Sequence, residues 1–188
     1  IYNPNLVSEE SSRQVSLAEV EAIAMTAALV GYDPQQADGV FTFGGTGTLL
    51  YGAKLGLEKA VPDARRRGLH QPAVMLCSDR AHYACHTVAN WLGLGEDNLI
   101  TVPTTDDNQM IVSELGTRLR EAISSGRRIA CIVATMGTTD AFGLDDLAGI
   151  VRLRDELVAE FDLDYTPHVH ADAVIGWAWS VFNDYDFE

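Results

Sequence analysis

The chain has 188 residues, of which 47% are hydrophobic and 21% are charged, and its formal net charge is -14. This length fits one domain and is sufficient to bury a core. The net charge argues against binding to nucleic acid or to an anionic membrane surface, because both partners require clustered lysine and arginine side chains. The basic run at residues 65–67 is expected to be a solvated surface turn.

Three cysteines, Cys77, Cys85 and Cys131, lack the spacing of a metal site. Cys77 and Cys131 lie within apolar runs, which favours buried and reduced thiols. The sequence contains no recognisable signal peptide and no apolar stretch long enough to span a bilayer. A cytoplasmic location is therefore expected.

The beginning of the chain is polar, and residues 1–15 predict an extended N-terminal segment ahead of a single domain over residues 16–188. Ser16 and Glu19 form a capping-box pattern, which predicts the start of a helix. Apolar residues then follow helical spacing, and Gly31 predicts the end of that helix.

The rest of the chain alternates between strand and helix patterns. Strands are expected over residues 40–43, 73–77, 99–102, 129–135 and 169–173, and helices over residues 46–60, 81–92, 113–124 and 145–161. This order predicts an α/β three-layer sandwich with a mostly parallel sheet. Ligands bind such sheets at the carboxyl ends of the strands. Four clusters of notable residues follow four predicted strands, which predicts one site at that edge.

The first cluster is the glycine-rich turn at residues 44–48. A turn of this kind that opens a helix presents backbone N–H groups and the positive end of the helix dipole to an anion. The hydroxyl of Thr46 or Thr48 can add a donor. The turn matches neither the P-loop nor the dinucleotide fingerprint. A phosphate site and an ordinary tight turn are both compatible with this pattern.

Two further clusters carry an imidazole and two hydroxyls. His82 follows a predicted strand at the start of a helix, where an imidazole can stack on a flat ring and donate a proton; a plain polar helix start is the alternative. Residues 137–139, Gly-Thr-Thr, follow another strand and permit close approach of a ligand. An ordinary turn is the alternative there. The pair Asp145 and Asp146 is interpreted as a helix N-terminus.

The last cluster is the carboxylate of Asp172, which ends an apolar strand. Burying a carboxylate is costly unless it is paired or hydrogen-bonded, and a protonated ring nitrogen would be a suitable partner. His170 lies on the same face of the strand. A metal site built on His170 and Asp172 is the less favoured alternative, because no cysteine or acidic cluster completes it.

These four clusters resemble the motifs of group II pyridoxal 5'-phosphate (PLP)-dependent amino-acid decarboxylases, which have fold type I. The resemblance extends over almost the whole chain and is carried by residues 41–46, 78–83, 134–146 and 168–173. It implies an incomplete large domain of that fold and PLP as the cofactor. No metal is expected.

By position, the resemblance implies that Gly45 and Thr46 bind the phosphate of the cofactor. It implies that His82 stacks on the pyridine ring and assists proton transfer, and that Thr139 lies near the ring or the substrate. Asp172 would pair with the pyridinium nitrogen and keep it protonated.

The sequence also departs from the family pattern. Val174 stands where the family usually has a smaller alanine that packs on the ring. The Schiff-base lysine of the family lies tens of residues beyond the aspartate, and the only two lysines here, Lys54 and Lys59, fall on the helix after the glycine turn. Both are rejected as substitutes. A second polypeptide, or sequence outside these residues, is therefore expected to supply that lysine and the small domain.

The expected function is that of the cofactor-binding part of a carboxy-lyase acting on an L-amino acid, inactive as this chain alone. A homodimer or a dimer of heterodimers is expected. The aromatic-rich residues 174–187 favour a partner surface, with packing onto their own core as the alternative. Two other functions stay open: a non-catalytic subunit that binds PLP or phosphate for regulation, and a PLP-dependent lyase or aminotransferase of the same fold.

Overall fold

A computed structural model of the chain describes residues 9–182. The chain divides into two compact units, one formed by residues 1–42 with residues 177–188 and the other by residues 43–176. The single domain predicted over residues 16–188 stays a prediction. None of the helices between residues 9 and 182 combines the length and the apolar character needed to cross a membrane.

The first unit begins with two helices, α1 over Glu9–Ser12 and α2 over Gln14–Leu29. The extended segment predicted over residues 1–15 is therefore wrong for residues 9–15, while residues 1–8 lie outside the described part of the chain. Polar residues are compatible with exposed helix faces, so polarity alone does not distinguish a loop from a surface helix. Gly31 has a φ of 84° and follows the helix, as predicted.

The capping box at Ser16 is also wrong. Ser16 lies within α2, and its hydroxyl donates to the carbonyl oxygen of Arg13 at 3.0 Å. The strand expected over residues 40–43 does not form either. No strand in the described residues pairs with it, and the N–H of Phe41 donates to the side chain of Glu19 at 3.0 Å.

The aromatic-rich end of the chain is described as far as residue 182. It forms a 3-10 helix over Gly176–Phe182, in which Trp177 and Trp179 are about half exposed. Tyr185 and Phe187, which contributed to the expected partner surface, lie outside the described residues. That partner surface stays a prediction.

The second unit holds the sheet. Its helices are α3 over Gly45–Ala60, α4 over Ala64–Arg67, α5 over Ala84–Trp91, α6 over Val112–Ser124 and α7 over Leu147–Glu160. Its strands are β1 over Ala73–Ser78, β2 over Leu99–Val102, β3 over Arg128–Thr135 and β4 over His168–Asp172. The basic run at residues 65–67 lies in α4 and is exposed. The predicted elements of this unit are largely confirmed, with shifts of a few residues at their ends.

All strand pairings in the described sheet are parallel, and the strand order is β2-β1-β3-β4. Helices α3 and α5 pack on one face, around Leu49 and Val88. Helices α6 and α7 pack on the other face, around Leu115 and Ile150. This arrangement confirms the α/β three-layer sandwich. Because the strands are parallel, their carboxyl ends meet at one edge of the sheet.

Helix α3 approaches the sheet closely through two glycines. A Cβ on Gly56 would clash with the carbonyl oxygen of Ala130, and a Cβ on Gly52 would clash with the ring of His170. Side chains at these positions would push the helix away from β3 and β4. The two glycines therefore allow the N-terminus of α3 to lie beside the carboxyl end of β4.

Candidate active site

A cleft of about 170 Å³ lies at the carboxyl edge of the sheet, entirely within the second unit. Its lining residues are Gly45, Thr46, His82, Ala84, Gly137, Thr138, Thr139, Asp172, Val174 and Ile175. The six residues singled out from the sequence are all among them. The structure thus brings these six residues together, while the role of each stays a prediction.

The glycine turn forms one wall of the cleft. Gly44 precedes α3 with a φ of 129°, a conformation that residues with a Cβ rarely adopt. A Cβ on Gly45 would lie 2.8 Å from Cγ2 of Val174, so only glycine fits there without a shift. The first N–H groups of a helix have no acceptor within the helix. The wall therefore offers backbone donors and the positive end of the α3 dipole to an anion.

His82 is held in place by the backbone that follows it. The N–H of Ala84 donates to Nδ1 of His82 at 3.1 Å, and α5 begins at Ala84 rather than at residue 81 as predicted. Because Nδ1 accepts this bond, the proton of the neutral ring resides on Nε2. The ring of Tyr83 lies against the same imidazole, with 4.2 Å between the ring centroids.

Asp172 is half-buried at the end of β4. Burial raises the pKa of its carboxyl, while the nearby His82 and the backbone N–H of Val174 oppose that shift. The N–H of Met136 donates to the carbonyl oxygen of Asp172 at 2.9 Å and so fixes the backbone next to β3. A carboxylate in this setting favours a cationic hydrogen-bond donor.

The two threonines after β3 differ in exposure. Thr138 is buried, and its hydroxyl oxygen accepts from the N–H of Ala141 at 3.3 Å. Thr139 is exposed and lines the cleft. Gly137, with a φ of 94°, makes the turn that separates the threonines from β3.

Asp145 has a position that sequence reasoning missed. Asp146 alone caps α7, accepting from the N–H of Gly149 at 2.8 Å. Asp145 is buried and accepts from the N–H groups of Met110 and Thr135, each at 2.7 Å. Burial raises the pKa of Asp145, and these two donors oppose the shift. The sequence feature that could have revealed this position is the pair of adjacent aspartates, because only one of them can cap the helix.

The two lysines lie away from the cleft. Lys54 pairs with Glu58 on the surface of α3 at 3.1 Å. At 1.5 Å per residue, Lys54 lies about 13 Å along the helix axis from Gly45, and Lys59 lies farther still. Both positions agree with their rejection as the cofactor-linked lysine.

Cys77 and Cys131 are free and buried, as predicted, and Cys85 is free and buried as well. Within residues 9–182, no group of three or more His, Cys, Asp or Glu side chains has an arrangement that could hold a metal ion. The polar groups that line the cleft are a helix N-terminus, an imidazole, hydroxyls and a carboxylate.

A parallel α/β sheet with a glycine-rich helix start and a half-buried carboxylate at its carboxyl edge matches the large domain of fold type I PLP proteins. A family model described as the pyridoxal-dependent decarboxylase conserved domain matches residues 2–182. The chain therefore belongs to this family, the group II PLP-dependent decarboxylases, whose cofactor is pyridoxal 5'-phosphate.

Individual relatives agree with this assignment. The L-2,4-diaminobutyrate decarboxylase of Acinetobacter baumannii is 30% identical over 198 residues, which cover 97% of this chain and 37% of the relative. The acidic amino acid decarboxylase GADL1 of Xenopus tropicalis is 33% identical over 153 residues, which cover 79% of this chain and 30% of the relative. The chain thus spans about a third of the length of these relatives.

A solved structure has the same fold. The crystal structure of mouse CSAD in apo form superposes with a TM-score of 0.84 at 28% identity, covering 95% of this chain and 36% of that chain. The similarity includes the segments that form the cleft, because nearly the whole chain is aligned.

The residues of the cleft fit PLP. The start of α3 suits its phosphate, and Gly45 leaves no Cβ in the space that Val174 already fills. Asp172 offers an acceptor that a protonated ring nitrogen would complement, since the protein itself compensates its burial only with His82 and one N–H group.

Proposed function

We propose that this chain is the cofactor-binding part of a PLP-dependent decarboxylase that acts on an L-amino acid. The cofactor-linked lysine and the small domain are contributed by another polypeptide or by sequence outside the 188 residues. The observation that supports this proposal best is the meeting of the α3 N-terminus, His82 and Asp172 in one cleft.

The start of α3 binds the cofactor phosphate in this proposal. The backbone N–H groups of Gly45 and Thr46 and the hydroxyl of Thr46 can donate hydrogen bonds to an anion. The helix dipole adds a favourable electrostatic field. The backbone N–H groups and the helix dipole need not reorganise when the phosphate binds, because the helix fixes both.

Asp172 holds a proton on the ring nitrogen. When bound, PLP supplies an electron sink for the charge left on the substrate as CO₂ departs. The Asp172 carboxylate stabilises the positive ring nitrogen on which that sink depends. Half-burial of this carboxylate strengthens the interaction, because charges attract more strongly where water is excluded.

His82 and Thr139 act on the open side of the cleft. The imidazole of His82 is fixed by the Ala84 N–H and presents its proton at Nε2, which suits both stacking on a flat ring and proton donation. Thr139 offers an exposed hydroxyl to the substrate. Val174 packs beside Gly45 and, being bulkier than alanine, would crowd the space next to the ring.

The test is an absorbance spectrum of the protein purified with all of its natural partners, before and after borohydride, with mass spectrometry of every polypeptide. A visible band that borohydride removes, with the pyridoxyl mass on a lysine outside these 188 residues, is the expected result. Bound PLP without attachment to any lysine would instead favour the non-catalytic regulatory subunit.

The product distinguishes the remaining alternatives. CO₂ and an amine identify a decarboxylase, whereas a keto acid or a cleaved carbon chain identifies an aminotransferase or another lyase of the same fold. Inactivity of this chain alone, a dimeric assembly and a cytoplasmic location belong to the same proposal.

A further inference from the structure

Two short hairpins lie side by side at the carboxyl edge of the sheet. The threonine hairpin, residues 136–144, carries Thr138 and Thr139 and is closed by a bridge between Met136 and Leu144. The bracing hairpin, residues 103–111, follows β2 and is closed by a bridge between Thr104 and Met110. No residue of the bracing hairpin lines the cleft.

The bracing hairpin holds the threonine hairpin through two side-chain amides. Nδ2 of Asn108 donates to the carbonyl oxygen of Ala141 at 3.1 Å, and Nε2 of Gln109 donates to that of Leu144 at 2.8 Å. The contact is close, because a Cβ on Gly143 would clash with the carbonyl oxygen of Asn108. The two amides thus tie down both the tip and the base of the threonine hairpin.

Asp145, which directly follows the threonine hairpin, links the bracing hairpin to the end of β3. One carboxylate oxygen accepts from the N–H of Met110 in the bracing hairpin, and the other accepts from the N–H of Thr135 at the end of β3. The carboxylate is buried, so neither bond competes strongly with water. The Asp145 carboxylate therefore connects the base of the bracing hairpin to β3.

The bracing hairpin also reaches the segment that carries the imidazole. The hydroxyl of Thr104 donates to the Asp79 carboxylate at 2.8 Å, and the N–H of Asp79 donates to the carbonyl oxygen of Val102 at 2.9 Å. Asp79 precedes His82 in the turn after β1. One hairpin thus contacts both segments that bring side chains to the cleft from β1 and β3.

We propose, building on PLP binding in the cleft, that the bracing hairpin is a positioning element of the site and that Asn108 and Gln109 are positioning residues for Thr139. Thr139 itself is exposed and follows a glycine turn, so its placement depends on what holds the hairpin around it. A misplacement of about 1 Å is enough to reduce catalysis roughly 100-fold.

The variant that tests this role is Asn108→Asp in the complete enzyme. The new carboxylate keeps the shape of the side chain and tolerates the φ of 61° at this position, but it cannot donate to Ala141. Asn98→Asp is a matched control. Asn98 also donates through Nδ2 to a backbone carbonyl, that of Leu94 at 2.8 Å, and it likewise follows two acidic residues. It lies at the amino end of β2, away from the cleft.

Each variant is compared with the wild type by amide hydrogen exchange of residues 136–144. Its kcat and KM are measured at saturating PLP, and its PLP dissociation constant is measured separately. For Asn108→Asp we expect exchange of the threonine hairpin to rise about tenfold, in line with the loss of a hydrogen bond and its replacement by repulsion. We expect kcat of Asn108→Asp to fall at least tenfold. In Asn98→Asp, the exchange rate and kcat should each stay within about twofold of the wild type. Gln109→Glu, at an exposed position, should act in the same direction.

Unchanged exchange in Asn108→Asp and Gln109→Glu would overturn the bracing role. Faster exchange with unchanged kcat would overturn the positioning role, as would an equal loss of kcat in Asn98→Asp. Failure of the wild-type enzyme to bind PLP would refute the proposed function instead, and the exchange measurement would still decide whether the hairpin is braced.

Discussion

Asp172 is a carboxylate whose burial is only partly compensated by the groups around it. Its side chain is half-buried with little compensation, so burial raises the pKa above its usual value. The folded chain consequently binds this proton more tightly than the unfolded chain does. Stability from this group is present at low pH and is lost as pH rises through the raised pKa.

Replacing Asp172 with Asn should therefore have two effects of opposite sign. Without PLP, the variant should be at least as stable as the wild type above the raised pKa, because no charge has to be buried. With PLP, the affinity should fall about 10- to 100-fold, because a hydrogen bond to a charged group is lost. Urea unfolding with and without PLP measures both effects. Asp97→Asn, at an exposed position, is the control and should change neither; unchanged PLP affinity in the Asp172 variant would contradict the ring-nitrogen role.

Gly45 and Val174 should be energetically coupled. Gly45→Ala should weaken PLP binding about tenfold, because the new methyl meets Cγ2 of Val174 and displaces the start of α3. Val174→Ala removes that methyl group and should restore most of the affinity in the double variant. A double-mutant cycle on the PLP dissociation constant measures the coupling. Additive effects would show that the contact does not shape the phosphate turn.

At this scale, the sequence predicted which side chains meet in the cleft, because each follows a recognisable turn or strand. It did not predict the burial of Asp145. Two adjacent aspartates before a helix both satisfy a capping pattern. The backbone N–H groups of Met110 and Thr135, which the local sequence does not reveal, decide that Asp145 turns inward.

Helix α3 is the element that sets the geometry of the cleft. Gly52 and Gly56 face β4 and β3, and their lack of side chains sets the distance between the helix and the sheet. In a helix without close neighbours, alanine is more stable than glycine by about 1 kcal/mol. Where the glycine lies against the sheet, the steric clash of the new methyl group opposes this gain.

Gly56→Ala should destabilise the chain by about 1–3 kcal/mol, because the methyl group overlaps the carbonyl of Ala130 and Cβ of His168. Gly116→Ala in α6 is the control. There the nearest atom to the new Cβ is the flexible end of Arg120, at 3.1 Å, so the substitution should range from neutral to stabilising by about 1 kcal/mol. Free energies of unfolding in urea compare the two. Equal effects would mean that helix propensity, rather than the approach to the sheet, governs Gly56.

The helices and strands of the second unit were readable because their apolar periodicity agrees with their burial. The failures lie in the first unit, where the helix start near Gln14 has no side-chain cap and residues 40–43 have β-branched and aromatic residues but no neighbouring strand. A local sequence pattern does not show whether another strand is available to hydrogen-bond with the backbone of the segment.

At the scale of the whole molecule, the order of strands and helices was sufficient to predict the layers, since parallel strands require crossover helices on the faces of the sheet. The division into two units was not predicted. No change in composition marks residue 42, and the second segment of the first unit comes from the other end of the chain.

Stability of the molecule should depend on pH through His168. Burial, followed by the nearby His170, lowers the pKa of His168 from 6.5 to about 4. The unfolded chain therefore binds this proton more readily, and stability should fall as pH decreases from about 6.5 towards 4. Because the ring is only half-buried, solvent screening limits the expected loss to about 1–2 kcal/mol.

Urea unfolding at several pH values between 7 and 4.5 measures this slope. His168→Asn removes the titrating group while keeping the polar side chain, so the slope of the variant should be shallower. His70, which lies outside the sheet, provides a control through His70→Asn, whose slope should match the wild type. Equal slopes in all three proteins would show that His168 is not protonated on unfolding in this range.

The contact between Gly45 and Val174 joins the first helix of the second unit to the segment that follows its last strand. The cleft consequently does not exist until β4 has docked beside β3, although α3 and β1 are synthesised much earlier. Because each parallel pairing closes a long loop, this docking is expected to be slow. Binding of the cofactor would then be the final step of refolding, and the rate at which bound PLP appears would report the rate at which β4 docks.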